Sequence, residues 1–148
     1  MIAHRGNSGF APENTVAAIN HAFEQGADHM EIDIRLTADG VPVLMHDAAA
    51  NRTTNGTGDV ATMTLAQLQA LDAGAWFDDQ FIGERPPTLV EALQAAAGRG
   101  RLMLDCKVSG MGQAIADALV QAGVSAEAIW PWSGAGLADY QDFFNNIP

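Results

Sequence analysis

The stretch Met30-Glu31-Ile32-Asp33-Ile34-Arg35-Leu36 decides the fold. Its apolar residues fall on every second position. Met30, Ile32, Ile34 and Leu36 therefore share one face of a strand, and Glu31, Asp33 and Arg35 share the other. Thr37-Ala38-Asp39-Gly40 follows as a turn signature, and Val41-Pro42-Val43-Leu44-Met45-His46 as a second apolar run. The link is too short for a crossover helix, which needs about a dozen residues, so the two runs are expected to form a hairpin or sharp bend.

Working outward, the chain opens on a short strand at Ile2-Ala3-His4. Val16, Ile19, Ala22 and Phe23 then fall on one helical face, behind Pro12-Glu13 and ahead of Gly26, which predicts a helix over 13–25. Residues 48–63 are rich in Ala, Asn, Thr and Gly and read as a loop excursion. Thr64-x-x-Gln67 and Thr88-x-x-Glu91 are capping boxes. The first opens a helix over Leu65 to Leu71 and the second a helix to about Ala97. Between them, 72–87 is irregular and anchored by Trp76, Phe77 and Phe81. Arg101 to Lys107 reads as a strand, 111–122 as a helix stopped by Gly123, Ala128-Ile129-Trp130 as a strand and Leu137 to Phe144 as a helix. Strands alternating with helices imply βα units and a mainly parallel sheet.

Composition narrows the function. The chain has 148 residues, is 48% hydrophobic and carries a formal net charge of −11. That length suits one domain, and that apolar content excludes intrinsic disorder. No apolar run approaches the ~18 residues of a membrane span. With only 7 Lys+Arg, the chain lacks the basic stripe that nucleic acid requires. One cysteine excludes a disulfide framework and a cysteine-based zinc site. No basic n-region or apolar h-region is visible at the start, so the expected compartment is the cytoplasm. The clipped look of the first strand also suits a longer, secreted parent.

Glu31 and Asp33 leave the same face of their strand. Like charges side by side repel and are costly to desolvate. They persist if the face is wet, if one is protonated, or if a cation sits between them; carboxylate oxygens favour Mg²⁺ or Ca²⁺ over zinc. The plainer alternative is the exposed polar face of an amphipathic strand. His4 and His46 each close a short apolar run and precede Arg5 and Asp47. Strand C-terminal ends are where parallel α/β folds place their sites, and two histidines there can form a base–acid pair or serve as structural residues. His21 and His29 read as ordinary surface or core-edge residues. Arg5 offers a fork for phosphate or carboxylate, beside a Gly6 that allows a sharp turn; its alternative is a surface salt bridge. Asp105 and Lys107, the only lysine of the chain, repeat the i, i+2 spacing. That lysine would meet an anionic substrate or end a solvated strand.

Taken in order, His4-Arg5-Gly6, Glu31-x-Asp33, His46-Asp47 and Asp105-x-Lys107 resemble the glycerophosphodiester phosphodiesterase family. The likeness is continuous over 2–60, taking in Ala11-Pro12-Glu13-Asn14-Thr15, Thr37 to Asp47 and Arg52-Thr53-Thr54-Asn55-Gly56-Thr57-Gly58, and looser from there to Lys107. It implies a TIM-type (β/α)8 barrel with a loop insertion at about 48–87. The implied activity is hydrolysis of small-molecule glycerophosphodiesters to glycerol 3-phosphate and an alcohol with one divalent cation, Mg²⁺ or Ca²⁺. By the same resemblance, His4 and His46 would be the catalytic acid–base pair. Arg5 and Lys107 would bind the substrate, and Glu31, Asp33 and Asp105 would ligate the metal.

The family usually has glutamate where this chain has Asp105. The shorter side chain withdraws its oxygens by roughly 1.5 Å, against a ligand window of a few tenths of an ångström. Aspartate also occurs here in the related venom sphingomyelinase D group. A phospholipase D-like or cyclising lyase on the same barrel is therefore the alternative activity. A whole barrel takes about 250 residues, whereas the chain offers about five strands. It is expected to be the N-terminal part of one barrel domain, whose open sheet edges would favour self-association. A non-catalytic barrel fragment is the third reading.

Overall fold

The computed structural model describes residues 1–133; the helix expected over Leu137 to Phe144 lies outside them. Five strands, β1 (Ile2–His4), β2 (His29–Leu36), β3 (Pro42–Leu44), β4 (Arg101–Cys106) and β5 (Ile129–Ser133), form one sheet. β1, β2, β4 and β5 lie side by side in that order and run parallel. β3 turns back antiparallel on β2, as the short turn at 37–40 requires. The helices are α1 (Val16–Glu24), α2 (Leu65–Gln69), α3 (Leu89–Ala96) and α4 (Gly112–Ala122).

Both capping boxes form, with Thr64 and Gln67 opening α2 and Thr88 and Glu91 opening α3. α4 stops at Gly123, whose φ of +70° suits a residue without a Cβ. α1 begins later than the expected 13. Its N-cap is Thr15, whose hydroxyl accepts from the Ala18 N–H at 3.2 Å. Pro12, Glu13 and Asn14 form a turn ahead of it, because the Asn14 side chain is bound to Asp33 across the sheet.

The alternation in β2 sorts its residues as read. Met30, Ile32 and Ile34 are fully buried and pack with Leu102 and Leu104 of β4 and with Ile19, Leu89, Leu93, Ile115 and Leu119 of the helices. The opposite face is not a plain polar surface, since Asp33 is only 1% exposed. Nor do Glu31 and Asp33 stand at the end of their strand. β2 runs on past them to pair with β3 from Ile34, opposite Leu44. The register nonetheless brings the candidates level. His4 lies beside Glu31, and Asp33 beside Asp105.

β2 is paired with β4 through Ile34, so β3 must take the edge that β1 leaves after Glu31. Among the described residues no strand pairs with that edge between β1 and β3, and buried backbone groups there need other partners. The Asp33 N–H donates to Asn14 Oδ1 at 3.1 Å. The Asp33 carbonyl accepts from the Met45 N–H at 3.0 Å, and the Glu31 carbonyl from the Gly6 N–H at 3.2 Å. Residues 48–87 leave and rejoin the sheet around a second small core of Val43, Met45, Ala50, Val60 and Leu68.

Gly6 sits at φ +74°, and a Cβ there would fall 2.7 Å from Ala18 Cβ and 2.8 Å from the Ala18 carbonyl carbon. The loop after β1 therefore lies on α1 only because the residue is glycine. Gly6→Ala should cost about 1–3 kcal/mol of stability, read as a lower denaturant midpoint; an unchanged midpoint would refute this close approach.

Candidate active site

Asp33 is the most enclosed charge of the site. Its Oδ2 accepts from Asn14 Nδ2 at 2.8 Å and lies 3.4 Å from Arg5 Nε. Its Oδ1 lies 2.9 Å from Lys107 Nζ. Lys107 also reaches Asp105 Oδ2 at 2.5 Å. Glu31 Oε2 accepts from the Arg5 backbone N–H at 2.9 Å and stands 3.8 Å from His4 Nε2. Arg5 holds this position at φ +52°, an unusual conformation for a residue with a Cβ. Its neighbour across the turn, Asn14, is similar at φ +56°.

Glu31, Asp33 and Asp105 each offer an oxygen, all within 4.8 Å of one another. Asp105 remains in this cluster despite its short side chain because β4 sets it directly beside Asp33. Burial, and then the charge of Asp33, raise the Glu31 carboxyl above its ordinary value, more than the Arg5 N–H and His4 offset. Burial works against the charge of Lys107 too, but Asp105 and Asp33 outweigh it and hold the ammonium above its ordinary value. An all-oxygen donor set with an excess of negative charge fits a hard cation such as Mg²⁺ or Ca²⁺.

The histidines flank this cluster differently. His4 ends β1 with its side chain 68% exposed. His46 follows β3, and its Nδ1 lies 2.7 Å from Asp47 Oδ1. Its carbonyl accepts from Arg35 Nε and a terminal nitrogen of Arg35 at 3.0 and 2.7 Å. His46 and Glu13 line one small cavity with Asn14, Met45 and Thr53. His21, set apart, stacks on Phe10 at 5.6 Å and meets Asn7.

Residues to which the sequence reading assigned no role complete the site. Glu13 accepts from Arg5 at 3.0 Å and from Arg52 at 2.8 and 3.0 Å. Burial opposes its charge, but Arg52 and then Arg5 hold the carboxyl below its ordinary range. Asp47 is held well below that range by Arg52 and then His46. Glu13, Asn14 and Arg52 lie in segments that carried the family resemblance, yet no spacing rule pairs residue 13 with residue 52.

The Glu31 shift has a definite sign. Its folded value is raised, so the folded state binds the proton more tightly, and stability is lost as pH rises through that value. Without divalent cation, the denaturant midpoint should rise as the pH is lowered from neutrality toward the raised Glu31 value. Glu31→Gln should flatten that rise and stabilise the metal-free protein at pH 7. Parallel pH profiles for the two proteins would exclude Glu31 as the cause.

The sequence pattern of the glycerophosphoryl diester phosphodiesterase family matches residues 4–133. A glycerophosphodiester phosphodiesterase of Caldanaerobacter subterraneus is 51% identical over 94 residues, which are 64% of this chain and 39% of that protein. Among solved structures, a glycerophosphodiester phosphodiesterase from Agrobacterium tumefaciens superposes with a TM-score of 0.86 at 37% identity, covering 98% of this chain and 62% of its own. An Oleispira antarctica phosphodiesterase in complex with the product sn-glycerol-3-phosphate gives 0.80 at 38% identity, covering 89% of this chain and 56% of its own. The chain thus spans less than half the length of the curated relatives it matches. The likeness to these structures identifies the open sheet as part of a TIM-type barrel.

Proposed function

The chain belongs to the glycerophosphoryl diester phosphodiesterase family, and from that premise we propose that it carries the acid–base and metal-binding residues of a hydrolase. That hydrolase converts glycerophosphodiesters to glycerol 3-phosphate and an alcohol. The observation that carries the reading is the convergence of Glu31, Asp33 and Asp105 within 4.8 Å, with Arg5 and Lys107 bound to the same carboxylates. The product held by the Oleispira relative supports the substrate class.

The geometry suits this chemistry. A phosphodiester is anionic and approaches a chain of net charge −11, so it needs local positive charge to dock. Arg5 presents a guanidinium fixed at one end by Glu13 and beside Asp33; its planar fork matches a phosphate. Lys107 adds a second positive group at the end of β4. Glu31, Asp33 and Asp105 are the residues that would hold a divalent cation. Bound there, it would neutralise phosphate charge as a Lewis acid.

His4 and His46 then divide the proton work. One accepts the proton of the attacking oxygen, and the other returns a proton to the leaving alkoxide. The exposure of His4 and the Asp47 contact of His46 leave a ring nitrogen of each free for that exchange.

His4→Ala and His46→Ala should each lower turnover of glycerophosphocholine by about 10²–10⁴-fold while calcium or magnesium binding survives; unchanged turnover in either would refute the acid–base assignment. Phosphorus NMR of the products decides the bond chemistry. Glycerol 3-phosphate is expected, whereas a persistent cyclic phosphate would favour the lyase that Asp105 brings into view.

A further inference from the structure

We infer that Arg52 is a positioning residue that locks His46 and Arg5 into working orientation through Asp47 and Glu13; this rests on the proposed phosphodiesterase reading. Arg52 belongs to the excursion after β3. Its Nε donates to Asp47 Oδ2 at 2.7 Å and a terminal nitrogen to Asp47 Oδ1 at 2.9 Å. The guanidinium also donates to both oxygens of Glu13, at 2.8 and 3.0 Å. Each of those carboxylates has a second task. Asp47 Oδ1 meets His46 Nδ1 at 2.7 Å, and Glu13 Oε1 accepts from Arg5 at 3.0 Å. One planar side chain therefore joins the acid–base histidine of the proposed reaction to its phosphate fork.

The chemistry of Asp47 gives this clamp a consequence. Held ionised by Arg52 and His46, Asp47 can only accept hydrogen bonds. The His46 nitrogen facing it must then carry the proton. Neutral His46 is the Nδ1–H tautomer, with the Nε2 lone pair turned away from Asp47 and available to a substrate. The other charged groups packed about His46 are Arg35, which binds its carbonyl, and Glu13, which shares its cavity. Neither of them touches the ring in a way that would set the tautomer. Without Arg52, Asp47 loses two of its hydrogen bonds, and Glu13 loses the two that fix the carboxylate holding Arg5. An ordinary surface ion pair would have no such effect, since exposed pairs contribute little even to stability.

The test pairs kinetics with a tautomer readout. In Arg52→Met, kcat for glycerophosphocholine with saturating Mg²⁺ should fall about 10–100-fold, the usual cost of removing a supporting group one bond removed from the chemistry. Arg52→Lys should recover little, because an ammonium cannot bridge two carboxylates in a plane; it also serves if Arg52→Met fails to fold. Arg99→Met, which removes an arginine bound to Asn20 on the outer surface, should leave turnover unchanged. Nitrogen-15 NMR of metal-free protein, at a pH where His46 is neutral, should show protonated Nδ1 in the wild type and loss of that signature in the Arg52 variants. An unchanged signature overturns the inference, and so does a wild-type kcat in either folded Arg52 variant. A wild type that does not turn over substrate would count against the proposed function alone, and the tautomer signal would still decide the clamp.

Discussion

Asp33 places a carboxylate in the interior with 1% exposure, where an unmatched charge is prohibitive and a well-matched one is tolerable. Its match comes from three directions. Asn14 donates from the loop before α1, Arg5 approaches from the end of β1, and Lys107 from the end of β4. Meeting that requirement sets the local structure of all three segments. Arg5 and Asn14 both take left-handed backbone angles to reach it, α1 is displaced to start after Thr15, and β4 must run beside β2 in a register that brings Lys107 within reach. Strain of this kind persists where the surroundings over-determine it, and such places tend to be functional.

Around that centre, charges of both signs alternate in space. Lys107 lies between Asp33 and Asp105, Arg5 between Asp33 and Glu13, and Arg52 between Glu13 and Asp47. Glu31 stands apart from this alternation. It has a backbone N–H and a histidine 3.8 Å away for company, and burial and then the charge of Asp33 displace its carboxyl upward. A site with one under-compensated carboxylate beside two compensated ones has room for one more positive charge. That is the physical reason for reading the cluster as a cation site rather than a closed salt-bridge network.

Much of this was legible in the linear order of residues. The period of two in β2, the reversal at 37–40, the two capping boxes and the glycine after α4 are local signals, and each formed as read. Glu31 and Asp33 could be nominated together because a strand's alternation places i and i+2 on one face; Asp105 joined them only through the family resemblance. The alternative of a solvated polar face was equally consistent with that pattern, since alternation reports which side a residue takes and not what covers it. The start of α1 was misplaced for a related reason. Pro12 and Glu13 suit a helix start, but Asn14 finds a better partner in a residue nineteen positions away.

The sequence by itself determined the elements, their faces and the identity of the charged groups, because hydrogen-bonding periodicity and capping act over four residues or fewer. Which charges meet was decided only by the tertiary structure. The parallel register sets Asp33 level with Asp105 and His4 level with Glu31, and the loop after β3 brings Arg52 back to Glu13, thirty-nine residues away. Coulombic pairing depends on distance in space, and residues so far apart along the chain come close only once the strands have paired and the loops have packed on them.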